Sequence, residues 1–282
     1  MRKLNKPILN ATIVYPDCLG GVGSAELRNR LVNCQPLIID AETEFDNKIT
    51  KGEIHTIVRE TVINGNVSSS ELKNVYTAQM VQNPRGRVYY DELIQAAPSG
   101  LCPLCAHRDA TTLDHYLPKS KYPRLSVVPI NLIPACKDCN TGKLSDYPTT
   151  PEEETLHPYY DDIDNVTWLK ARVNRTNPVS LTFYVERPVS WDDLLFARVE
   201  SHFDSFHLKN LYAVQAARRL SGLKKNLNDI FSSGAGSNGI VRYLLNEANS
   251  NAAVSLNSWE TSMYRGLQND AWFCGVGFRQ IG

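Results

Sequence analysis

No stretch of this 282-residue sequence stays apolar over the roughly eighteen residues that a membrane-spanning helix needs, and no membrane is expected among its partners. Met1 to Asn10 contain no apolar leader core, so a reduced, cytoplasmic setting is expected rather than an oxidising one. Charge of one sign is also missing. Thirty Lys and Arg residues cancel thirty Asp and Glu residues, so the whole-chain balance announces neither a polyanionic nor a polycationic partner. There is no internal repeat and no heptad pattern, which sets aside solenoids and coiled coils. Gly20-Gly21-Val22-Gly23 lacks the lysine of a phosphate-binding loop and reads as a turn before a helix.

What the chain does have is patterned cysteine. It carries seven, an odd number that fits disulfide pairing poorly. Cys18, Cys34 and Cys274 are isolated and read as small buried hydrophobes or inert thiols. The other four form two close pairs, Cys102-Pro-Leu-Cys105 and Cys136-Lys-Asp-Cys139. Four thiolates so spaced can close a tetrahedron around zinc, each pair making a tight knuckle. The alternatives are four free thiols or two disulfides. In a reducing setting, paired cysteines more often mean metal.

Between and just beyond the pairs lie groups that such a zinc would not use: Asp114-His115, Asn131, Asn140 directly after Cys139, and Lys143. Asp114 and Asn140 offer oxygen ligands, which suit magnesium or manganese better than a thiophilic ion. His115 titrates near neutrality and can take a proton from water. Thr111 to His115 reads as a short strand, Leu125 to Val128 as its antiparallel partner, and Cys136 to Leu144 as a helix. That helix would carry Asn140 and Lys143 on one face, where Lys143 could meet a phosphate.

This order of strand, loop, strand and helix, with its residues, resembles the HNH nucleases, also called the ββα-metal or His-Me finger family. The likeness spans about Leu101 to Leu144. It implies His115 as general base, Asp114 and Asn140 as ligands of a catalytic Mg2+ or Mn2+, and Asn131 as a bridge across the loop by backbone hydrogen bonds. The products implied carry 5′-phosphate and 3′-hydroxyl ends. The Asp-His pair and the Asn after the fourth cysteine are most similar to the endonuclease VII branch, and the final H of the family name is here an Asn. Leu113-Asp-His-Tyr-Leu-Pro-Lys-Ser120 also resembles, more loosely, bacterial HNH proteins found near phage-defence genes.

The expected activity is therefore metal-dependent hydrolysis of DNA phosphodiester bonds. Three alternatives stay open: an RNA-cleaving enzyme of the same chemistry, a zinc ribbon that binds DNA without cutting it, and a nuclease subunit silent until an ATPase or sensor partner engages it, as in antiviral defence. Nucleic-acid contacts are expected from Lys119, Lys121 and Arg124 in the loop after His115, with Tyr116 and Tyr122 interleaved for stacking. A second basic stretch, Ser205 to Asn228, has no acid and carries Arg218 and Arg219 among its cations, with apolar residues at helical spacing.

The expected fold class is α+β, mainly α-helical, with the zinc-stapled segment between helical regions. Residues 1–99 read as helical, with helices at Ser24–Asn33, Ala41–Ile49, Glu53–Ile63, Ser70–Met80 and Val88–Ala97, and a cap near Ser68. Residues 100–147 are the metal-binding segment. Residues 148–282 open on an acidic, proline-marked stretch, then strands at Thr167–Val173 and Val179–Val185, then helices broken at Ser232–Gly239. His157 reads as a loop histidine, or else as a neighbour of the candidate site.

Overall fold

Side-chain caps set the start of most N-terminal helices. In the computed structural model Asn10 caps α1 (Ala11–Leu19), Ser24 caps α2 (Ala25–Val32), and Asn83 caps α5 (Pro84–Gln95), each side chain accepting an otherwise orphaned backbone N–H. Ser68 and Glu71 form a reciprocal capping box on α4 (Ser69–Asn74). Hydrogen bonding from Arg30, then from the Ser68 backbone, lowers the Glu71 carboxyl to about 2. Helix α3 (Gln35–Ile49) begins earlier than the sequence pattern implied, because Pro36 sits in its first turn, where a missing N–H costs nothing. The structure describes residues 1–60, 63, 66–143 and 146–282; the side chain of Lys143 lies outside them.

The chain divides into two units, Met1–Asp162 and Ile163–Gly282. Residues 1–99 and 100–147 thus share one unit. In that unit α5 packs on a two-stranded antiparallel sheet, β1 (Thr112–His115) with β2 (Leu132–Ala135), and α6 (Lys137–Lys143) packs on β1. The register pairs Thr112 with Ala135 and His115 with Leu132. Pro134 faces Leu113 at a position where the alternating ladder requires no N–H from it. The chain start is tied down against the first knuckle: Arg2 N–H donates to the Pro103 carbonyl and Leu4 N–H to the Pro158 carbonyl, both at 2.8 Å.

The second unit is a hairpin, β3 (Leu169–Asn174) with β4 (Ser180–Val185), backed by α7 (Asp193–Ser205), α8 (Leu208–Ile230), α9 (Gly236–Ala252), α10 (Trp259–Asn269) and α11 (Ala271–Gly275). Helix α10 runs close over β3, and a Cβ on Gly266 would stand 2.4 Å from the Ala171 carbonyl oxygen. The α8–α9 break falls where the sequence placed it, with Gly234 and Gly236 at φ of 91° and 53°. The fold is α+β and mainly helical. Among the described residues no helix is long and apolar enough to cross a membrane.

Two expected elements do not form. Glu53–Ile63 is not a helix: its described residues hold only a 3-10 turn, Ile54–Thr56. The backbone there is spent on other partners. His55 N–H donates to the Glu154 carboxylate at 3.0 Å, and Glu60 N–H to the Lys121 carbonyl at 3.1 Å. The partner of β1 is not Leu125–Val128 but Leu132–Ala135. Pro123 opens a 3-10 turn that reaches Leu125, Pro129 opens another, and the carbonyls of Leu125 and Ser126 are taken by side chains. Two short, mainly apolar stretches lie close together here, and only the second pairs with β1.

Candidate metal centre and active site

The four paired cysteines meet. All are buried, and their Sγ atoms lie within 4.8 Å of one another. Zn–S bonds of about 2.3 Å would set S–S edges near 3.8 Å; Cys105 and Cys136 stand 4.0 Å apart. Each knuckle is shaped by its own backbone. In the first, Ala106 N–H donates to the Cys102 carbonyl at 2.8 Å, Arg108 N–H points at Cys105 Sγ at 3.5 Å, and Ala106 takes a positive φ of 54°. In the second, Cys139 N–H points at Cys136 Sγ at 3.4 Å. Arg108 pairs with Asp138 at 3.0 Å, linking the two knuckles.

The thiols cannot share this space as four equal anions. Cys105 and Cys136 are pushed down, each first by hydrogen bonding with Cys102. Cys139 is pushed up, also first by Cys102, and Cys102 by Cys105. A dication among the sulfurs would resolve that conflict, so the donor set fits a metal such as zinc. The isolated cysteines differ in kind: burial raises Cys18 to about 12 and Cys274 to about 11, as expected of inert thiols.

The oxygen and nitrogen donors sit beside this staple. Asn140 begins its position with the second knuckle, its N–H donating to the Cys136 carbonyl at 3.1 Å. Its amide nitrogen then donates to Thr112 Oγ1 at 2.7 Å and, more weakly, to the Leu113 carbonyl at 3.4 Å. Oδ1 is the atom of this residue that could ligate a cation. Alternation along β1 directs Asp114 to the side of Thr112, the residue Asn140 grips.

His115 ends β1 and is 8% exposed. Its Nε2 lies 2.9 Å from the Ser126 carbonyl oxygen, which can only accept. Nε2 therefore carries the proton, and in the neutral ring Nδ1 is the basic nitrogen. The carbonyl is held in turn. Asn131, fully buried, accepts from Leu117 N–H at 2.8 Å and donates to the carbonyls of Leu117 and Leu125, each at 3.1 Å. One amide thus stitches the whole loop that presents Ser126.

Two residues with no signal in the sequence complete the setting. Tyr76 stands nearly perpendicular to the His115 ring, centroids 4.5 Å apart. Tyr90 of α5 stands behind Tyr76, ring centroids 6.5 Å apart. Lys119, half-buried, places its ammonium 4.4 Å from the centroid of the Tyr76 ring; desolvation lowers its pKa, and Asp114 opposes that shift.

Other expected contacts are placed differently. Arg124 is spent on an ion pair with Glu60, so it is not a free phosphate ligand. Tyr116 and Tyr122 are buried and cannot stack on bases; the Tyr116 hydroxyl donates to the Thr155 carbonyl at 2.6 Å. Lys121 is exposed. Lys143 ends α6, with its side chain outside the described residues. Arg218 and Arg219 lie on the exposed side of α8 in the second unit, where Arg219 donates to the Tyr264 hydroxyl at 2.8 Å. His157 is a core residue: Nε2 faces the Ile130 carbonyl at 3.1 Å, Nδ1 accepts from Tyr159 N–H at 3.3 Å, and aromatic rings surround it.

Among known proteins, the chain is similar to Protein ea31 of Escherichia phage lambda, 29% identical over 298 residues, covering 98% of this chain and 100% of that protein. That name states no activity, and none passes from it to this chain. No protein-family model matches the sequence, and no solved structure matches it. The functional reading therefore stands on the residues themselves.

Proposed function

We propose that the protein is a metal-dependent endonuclease of the HNH, or ββα-metal, type that hydrolyses DNA phosphodiester bonds. The observation that carries the reading is the tautomer lock on His115: a carbonyl held by the Asn131-stitched loop receives Nε2–H and leaves Nδ1 as base. The buried His157 has the same kind of carbonyl contact; what sets His115 apart is its place next to Asp114 in β1, the strand whose Thr112 the knuckle-held Asn140 grips.

In this reading Nδ1 of His115 removes a proton from the attacking water, and the Ser126 carbonyl stabilises the imidazolium that forms. Lys119 meets a phosphate oxygen. Asp114 and Oδ1 of Asn140 would hold a magnesium or manganese ion, which supplies charge neutralisation at the scissile phosphate and the leaving 3′ oxygen. The four cysteines would hold zinc, whose filled coordination makes it a staple and not a Lewis acid.

The test is cleavage of supercoiled plasmid, single-stranded DNA and RNA by the purified chain, with magnesium or manganese, with and without a candidate ATPase or sensor partner. Asn140→Ala should keep zinc and lose metal-dependent cutting. Full magnesium-dependent activity in that variant would remove Asn140 from the site, and cutting confined to RNA would replace the substrate.

A further inference from the structure

We propose that Tyr76 is a positioning residue of the cleavage site, its ring fixing the His115 imidazole and the Lys119 ammonium together so that base and cation meet one phosphodiester. This rests on the nuclease reading and extends it to a residue outside the strand–strand–helix segment.

Three observations carry it. The first is the double contact: the imidazole at 4.5 Å and 71°, and the ammonium at 4.4 Å, share one aromatic ring. A lysine side chain is long and mobile, and a ring face that seats its charge lowers the ordering cost of binding a phosphate. The second is how Tyr76 is delivered. It lies in Val75–Val81, a π-helical stretch continuing α4. Such wide turns are rare, and they recur at functional sites. The third is how that stretch is fixed. Gly86 of α5 lies so close to it that a Cβ would stand 2.3 Å from the Gln79 carbonyl oxygen, and Met80 is completely buried. The stretch that carries Tyr76 is thus fixed against α5, and the Tyr76 ring meets His115 and Lys119, with Tyr90 of α5 6.5 Å away.

Both contacts are made by the ring, so the phenol hydroxyl should be dispensable. The experiment uses the intact zinc-loaded chain with a short DNA duplex and magnesium. Single-turnover rates at saturating duplex, and duplex dissociation constants, are measured for Tyr76→Phe, Tyr76→Leu and Tyr76→Met. Tyr76→Phe should cut at nearly the parental rate. Leu and Met should slow the step about tenfold to a hundredfold, the scale of a misplaced catalytic group, with a smaller change in dissociation constant and no loss of zinc. Leu or Met variants cutting at the parental rate would overturn the proposal, as would a Phe variant as slow as they are. If both truncations fail to fold, the imidazole resonances of His115 in the parent and Tyr76→Phe proteins decide. Matching ring-current shifts in the two support the contact, and their absence in the parent overturns it. A parent chain that cuts no nucleic acid under any condition removes the nuclease reading itself, an outcome distinct from active parent and active Tyr76→Leu.

Discussion

The two ends of one strand–strand–helix segment are built on opposite plans. The cysteine end is closed locally: two short knuckles supply every sulfur, and their own N–H groups shape the sulfur positions. The histidine end is assembled from afar. His115 is held by a carbonyl across the loop, the loop by Asn131, and the ring meets Tyr76 from the N-terminal helices, with Tyr90 of α5 behind it. A metal staple needs only ligands in the right order. A side chain held in one orientation needs a rigid surround, which a segment with so small a core cannot supply alone. The N-terminal helices provide it.

That contrast can be broken by mutation, and the largest effect belongs to the cysteines. Cys102→Ser or Cys139→Ser should abolish zinc binding and unfold the segment, because structural zinc contributes on the order of 10 kcal/mol to folding in small metal-dependent units. Metal analysis and thermal unfolding check this; a zinc-free variant melting like its parent would mean the staple is dispensable.

Next comes Asn131→Ala. It strips three buried hydrogen bonds from the loop and should cost about 2–4 kcal/mol by denaturant unfolding while leaving zinc bound. It should also slow cleavage, because the Ser126 carbonyl would lose its support. A variant as stable and as active as the parent would show that the loop holds itself.

The smallest effect separates two cations of one loop. Lys119→Gln should weaken duplex binding and reduce the steepness of its salt dependence by roughly one phosphate contact. Arg124→Gln should leave that slope unchanged, because its guanidinium is engaged by Glu60. Equal salt slopes for the two variants would erase the distinction.

The same contrast explains what the sequence disclosed. The sulfur set was legible because both knuckles are defined by spacing alone. Strand β1 and helix α6 followed, being anchored to those knuckles, and a cap near Ser68 was visible, which the structure completes as a capping box with Glu71. The partner strand was misplaced because Leu125–Val128 and Leu132–Ala135 are both short, mainly apolar stretches, and pairing with β1 selects the second. The helix expected at Glu53–Ile63 was lost to long-range demands, chiefly the buried carboxylate of Glu154, which takes the His55 N–H from ninety-nine residues away. Tyr76 had no signal at all: its place depends on a π-helical turn and on the closeness that Gly86 permits. Arg124 and Lys119 look alike in sequence, yet Arg124 is paired with Glu60 while Lys119 is seated on the Tyr76 ring.

The central claim is that His115 is the general base, and one variant tests it most directly. His115→Ala should fold, retain one zinc per chain and bind duplex DNA with nearly parental affinity, while its cleavage rate at saturating magnesium falls by about two to four orders of magnitude. A folded, zinc-loaded His115→Ala protein that cuts DNA at the parental rate would contradict the account.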